Sequence, residues 1–173
     1  MNHRTQIRPG VYLTAVQSDK FKTGCFSLNL LRPMKKEEAA ANALIPSVLL
    51  RGSVQHPDIA SISAKLDELY GARIEAIVRK EGETLVIGFL SDCIDEAYAP
   101  GADGLTAGVI GLLCDLLYDP YLQAGLFCAA YVEGARGNLI DRTAALKNDP
   151  RSWAPRPPNG TMCDNEDYGP HAR

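Results

Sequence analysis

Hydrophobic and polar positions alternate over residues 11–18, where Val11, Leu13 and Ala15 oppose Tyr12, Thr14 and Val16. That period of two predicts a half-buried strand. A polar link, 19–22, leads into a second alternating stretch, 25–32, with Phe26, Leu28 and Leu30 against Ser27 and Asn29. So short a link predicts that these two strands pair antiparallel, and Pro33 ends the second. The pattern then changes period. Residues 35–50 have an acidic, alanine-rich first half, an apolar second half and Gly52 just beyond, which predicts a helix ending near Arg51. Pro57 and Asp58 start another helix, in which Ile59, Ile62, Leu66 and Leu69 recur at spacings of three and four and Gly71 supplies the stop.

The alternation returns over 73–80 and 83–92, predicting a hairpin across Glu81 and Gly82 with Leu85, Ile87 and Phe89 on one face. A third helix is predicted over 101–117, with Leu105, Val109, Leu112 and Leu116 as its inner stripe and Asp119-Pro120 as its stop. A fourth is predicted over 122–147, with Phe127, Tyr131, Ala135 and Leu139 close to one face. Gly134 and Gly137 weaken it by about 1 kcal/mol each relative to alanine, with no compensation evident in the sequence. Two hairpins separated by helices predict an α+β fold, an antiparallel sheet with helices packed on one face.

Composition narrows the function classes. The chain has 173 residues, of which 46% are hydrophobic and 23% charged, as in an ordinary globular protein, and one domain is expected. A net charge of −3 with dispersed basic residues gives no reason to expect nucleic acid or an anionic membrane as partner. The first residues lack an apolar core and the longest apolar run, 105–117, is interrupted by Asp115, so a cytoplasmic location is expected. Cys25, Cys93, Cys114, Cys128 and Cys163 form an odd set without C-x-x-C spacing. They predict neither a disulfide framework nor a zinc knuckle, and most are expected to be small buried apolar residues.

The order of motifs carries a resemblance. A strand ending Leu-Arg-Pro, a helix running into Leu-Leu-Arg-Gly-Ser, and a second helix ending Leu-Asp-Glu-Leu-Tyr-Gly-Ala before a strand resemble the insulinase (pitrilysin-type) zinc metallopeptidases over roughly residues 8–149. The resemblance is nearest to bacterial insulinase-like proteins associated with aminopentanol modification of elongation factor P. Active members carry an inverted zinc motif, H-x-x-E-H, about two turns before the Arg-Gly stop. Counted back from Gly52, its positions fall on Ala43, Pro46 and Ser47, and the family's later glutamate falls on Ala135. Zinc in a hydrolase needs imidazole, thiolate or carboxylate ligands and a carboxylate base for its water. Alanine and proline have no donor, and a protonated serine hydroxyl is a poor one. The resemblance therefore implies the fold without its metal site, and no cofactor is expected.

Other candidate chemistry reads more blandly. His3, His56 and His171 are far apart, none on a predicted apolar face, and are expected to be surface residues, His56 in a loop before a helix cap. Asp164, Glu166 and Asp167 lack the twelfth-position glutamate of a calcium loop. Gly101, Gly104 and Gly108 follow no strand and read as flexibility at a helix start, and Glu37-Glu38 and Asp67-Glu68 as solvated helix faces. Residues 150–173 contain Pro150, Pro155, Pro157, Pro158 and Pro170 and are expected to form an irregular segment after a peptidase-like unit at 1–149. A truncated or frame-disturbed chain would explain that change of character.

The expected function is that of a non-catalytic insulinase-type homologue, the partner or substrate-shaping half of a two-domain or heterodimeric assembly. Its partner would be a second insulinase-type domain or a zinc-bearing paralogous subunit, with a peptide or protein substrate. The rivals are a working zinc peptidase whose ligands come from elsewhere, an accessory protein in elongation factor P modification, and a fragment without activity of its own.

Overall fold

The computed structural model describes residues 2–101 and 103–145. Strands β1 (Asn2–Arg8) and β2 (Val11–Val16) form a two-stranded hairpin, and β3 (Thr23–Pro33), β4 (Arg73–Glu81) and β5 (Thr84–Ile94) form an antiparallel sheet of order β3-β5-β4. Helices α1 (Lys36–Leu49), α2 (Ile59–Glu68) and α3 (Leu105–Tyr118) follow the expected spacing, and α4 (Ala129–Ala145) comes after a small hairpin of β6 (Leu122–Gln123) and β7 (Leu126–Phe127). The fold is α+β.

The core lies between β5 and the helices. Phe89 and Cys93 of β5 pack with Leu49 of α1, Ile62 of α2 and the Leu105, Val109, Leu112 and Leu116 stripe of α3. Each of these is a position at which strand or helix period turns an apolar side chain inward. Leu85 to Phe89 are buried consecutively rather than alternately, as befits a central strand flanked by β3 and β4. Helix α2 begins where Asp58 predicted. Its carboxylate accepts from the Ser61 backbone N–H at 2.7 Å, and the Asp58 N–H donates to the Ser61 hydroxyl at 3.3 Å, a reciprocal cap. Those bonds from Ser61 hold the Asp58 carboxyl below its ordinary pKa.

Three expectations are corrected. The strand at 11–18 does not pair with the one at 25–32: β2 pairs with β1 around Gly10, whose φ is +78°, and β3 pairs along its whole length with β5. The tight turn at Pro9-Gly10 closes locally, while β3 and β5 match residue for residue from Thr23–Ile94 to Pro33–Thr84. Helix α4 starts at Ala129 and not at 122, because Ala124 and Gly125 adopt φ of +50° and +79° and fold 122–127 into a hairpin turn. Helix α3 starts at Leu105, with Gly104 at φ +77° before it.

The cysteines divide. Cys93 and Cys128 are buried as expected, whereas Cys25 is exposed on β3 and Cys114 is half-buried. Cys163, like His171, the acidic residues 164–167 and the prolines from Pro150 onward, lies outside the described residues. Burial, then the charges of Asp92, Glu96 and Asp95, push the Cys93 thiol upward. A raised folded-state value means that the stability it contributes is complete below the ordinary thiol value and is lost as pH rises through the folded one. At about pH 8 a thiol reagent followed by peptide mass mapping is expected to modify Cys25 and leave Cys93 free until denaturant is added. Equal labelling rates would contradict that burial.

Candidate functional site

Helix α1 carries the site. Its first turn holds Glu37 and Glu38, which complement the positive helix end, and Glu38 pairs with Arg32 at 2.7 Å and Lys35 at 3.4 Å. These exposed pairs contribute little stability. Pro46 sits inside the helix, where it cannot donate to the Asn42 carbonyl, although its own carbonyl still accepts from the Leu50 N–H at 3.1 Å. Gly52 ends the helix because the chain folds back on itself there: a Cβ at Gly52 would lie 2.6 Å from the Pro57 carbonyl oxygen. The turn is closed by Ser53 N–H donating to His56 O at 2.7 Å and His56 N–H donating to Ser53 Oγ at 3.0 Å. His56 is thus a loop residue before the α2 cap, as its neighbours predicted.

Helix α4 packs antiparallel along α1. The Tyr131 hydroxyl donates to Pro57 O at 2.9 Å, and the Arg51 guanidinium lies 3.6 Å from the point where a Gly134 Cβ would stand. That is an ordinary contact distance, so Arg51 lies beside Gly134 without requiring a glycine there. Farther along the same seam, Ala43, Leu44 and Ser47 of α1 face Ala135, Asn138, Leu139, Asp141 and Arg142 of α4 across a pocket of about 340 Å3.

Three of the positions aligned with the zinc motif, Ala43, Ser47 and Ala135, thus line one pocket, while Pro46 is fully buried in α1 and absent from the lining. The residues there do not fit a zinc ion. Asp141 is the single carboxylate of the lining, with no imidazole or thiolate, and among the described residues no three His, Cys, Asp or Glu side chains gather as a metal site. The polar part of the lining, Asn138, Asp141 and Arg142, matches no motif in the sequence. The signal was present as helical spacing, since 138 and 142 lie three and seven residues after Ala135 and so share its face.

The remaining candidates scatter. His3 is exposed and bonded to the Thr5 hydroxyl at 2.7 Å. Gly101 and Gly104 have φ of +79° and +77°, while Gly108 lies against Leu69, where a Cβ would come 2.6 Å from Leu69 Cδ2, so that glycine serves helix packing. Glu68 pairs with Lys65 at 2.9 Å on the solvated face of α2. Among the described residues no helix is long and apolar enough to cross a membrane.

No family model matches the sequence. In structure the chain is similar to a conserved protein from Enterococcus faecalis V583, with a TM-score of 0.84 and 21% identity over 97% of this chain and 41% of that one, a likeness that establishes the fold. In sequence it is 33% identical over 162 residues, 94% of its length, to "Probable inactive metalloprotease YmfF" of Bacillus subtilis (strain 168). It spans 38% of that relative's length. On this similarity the chain is a metallopeptidase homologue, related to a protein named as an inactive one.

Proposed function

We propose that the chain is a non-catalytic domain of the insulinase type, acting as the partner or substrate-shaping half of a two-domain or heterodimeric assembly. The observation that carries this reading is the pocket between α1 and α4. Ala43, Ser47 and Ala135 meet there at the positions aligned with the zinc motif and offer no ligand set. The name of the Bacillus subtilis relative supports the same reading. Exposed apolar side chains support the partner: Ile7, Val11, Leu13 and Val16 of the β1–β2 hairpin, and Leu31 of β3, stand in solvent. A two-stranded hairpin of this kind is marginal alone and gains by being covered.

The test is metal analysis joined to assembly. After desalting, the purified chain is expected to retain much less than about one equivalent of zinc and to leave peptides intact. Co-expressed with a protein bearing H-x-x-E-H, it is expected to elute as a complex on gel filtration. A full equivalent of zinc, lost on chelation together with peptide cleavage, would overturn the non-catalytic reading. A clean monomer indifferent to every such protein would overturn the partner role.

A further inference from the structure

The polar groups of the α1–α4 seam are solvated rather than paired within the protein, with Asn138, Asp141 and Arg142 exposed and Ser47 half-buried, so a ligand can reach them. Among the described residues, the Ser47 hydroxyl, the Asn138 amide, the Asp141 carboxylate and the Arg142 guanidinium have no side-chain hydrogen bond or ion pair, although all four line the pocket. Arg51, half-buried one helical turn beyond Ser47, likewise has no ion pair and lies over Gly134. Within the lining Arg142 is matched by Asp141, so Arg51, beside the pocket at Gly134, supplies the excess cation, and Ala43, Leu44, Ala135 and Leu139 make the aliphatic part of the lining. The rest of the molecule is biased the other way, with a net charge of −3. Any preference for an anion must therefore arise locally.

We infer that the seam takes an acidic peptide segment, Arg142 and Arg51 meeting two of its carboxylates and Ser47 and Asn138 its backbone. This rests on the reading of the chain as a non-catalytic, substrate-shaping domain and names the class of peptide it holds. Spacing fixes the ligand further. From Arg142 to Gly134, over which Arg51 lies, α4 rises about 12 Å at 1.5 Å per residue. An extended peptide covers that span in about four residues, and side chains four apart in a strand point to the same side. The fitting ligand carries two acidic side chains at i and i+4 in an extended segment. The planar, always charged guanidinium is suited to bidentate capture of each carboxylate.

The experiment uses the full 173-residue chain and end-blocked, dye-labelled peptides of equal length, read by fluorescence anisotropy. One carries two glutamates four apart, one has lysines in their place, and one has glutamines. The glutamate peptide is expected to bind tightest, and Arg142→Gln to weaken it about tenfold, the loss of one charge-assisted contact. Asp141→Asn is expected to tighten it severalfold, a change of sign that a merely structural role would not give. Arg136→Gln, which removes a cation paired with Glu133 and outside the pocket lining, is expected to leave binding unchanged. No binding, equal binding of the lysine peptide, or indifference to both Arg142→Gln and Asp141→Asn would overturn the inference. Zinc content and mass spectra of the recovered peptides report separately on the non-catalytic reading: cleavage by a zinc-loaded chain would end that reading without touching the measured preference for acidic peptides.

Discussion

Gly88→Ala is expected to destabilise the fold by about 3–5 kcal/mol, at the severe end for a single methyl group. Gly88 lies near the middle of the central strand, opposite Asn29 of β3 and Ile77 of β4. A Cβ built on it falls on the Leu28 carbonyl oxygen, and the obstruction is backbone, which cannot rotate away as a side chain would. Its φ of +157° adds a conformation that L-residues rarely adopt. Relief would require β3 to move off β5, and that pairing carries the sheet on which α1 and α3 rest. Gly82→Ala separates the two causes. Gly82 also has positive φ, +58°, but nothing lies within 4 Å of its missing Cβ, so alanine there should cost only about 1–2 kcal/mol. Denaturant midpoints of the two variants measure the difference. Equal losses would show that β3 does not approach β5 as closely as described.

That contrast also marks what was legible in the sequence. Local chemistry was readable. The Asp58 cap, the three- and four-residue recurrence of α3 and the turn at Gly82 each involve residues a few positions apart, and these three lie within a few residues of their expected places. Strand partnership was not readable. Leu28 meets Phe89, and Cys25 meets Asp92, across more than sixty positions, and the alternation of β3 would suit β2 or β5 equally. β1 gives no strand signal, because residues 3–8 are mostly polar and all exposed. The start of α4 was misplaced because Ala124, a good helix former, adopts φ +50° in a hairpin turn, a local preference overridden by the paired strands beside it.

The site divides in the same way. The count from Gly52 picks out Ala43 and Ser47, four apart on one helix face, and the resemblance picks out Ala135; the structure shows these three lining one pocket. What no count could provide was Pro46 turning away into the protein, or Arg51 crossing over Gly134, because both depend on how α1 and α4 lie against each other.

Zinc affinity is expected to appear in the triple variant Ala43→His, Ser47→His, Ala135→Glu. The i, i+4 pair on α1 presents two imidazoles to one point, the spacing by which helical histidines share a metal, and Ala135 faces the same pocket from α4. Pro46 is left in place, since it is fully buried and a glutamate there would enter the core without facing the pocket. Ala135 is only 2% exposed, so the new carboxylate should destabilise the metal-free variant by several kcal/mol or remain protonated. Metal should reverse that penalty. With zinc at about a hundred times its dissociation constant, linkage adds about 2.7 kcal/mol to the folded state, visible as a zinc-dependent rise in melting temperature. The double variant lacking Ala135→Glu should gain much less, because α4 then supplies no ligand, and the unchanged chain should show no rise at all. A folded triple variant that retains no zinc after desalting would mean that α1 and α4 do not present these three positions to a common centre. Both the alignment with the zinc motif and the pocket geometry would then have to be abandoned.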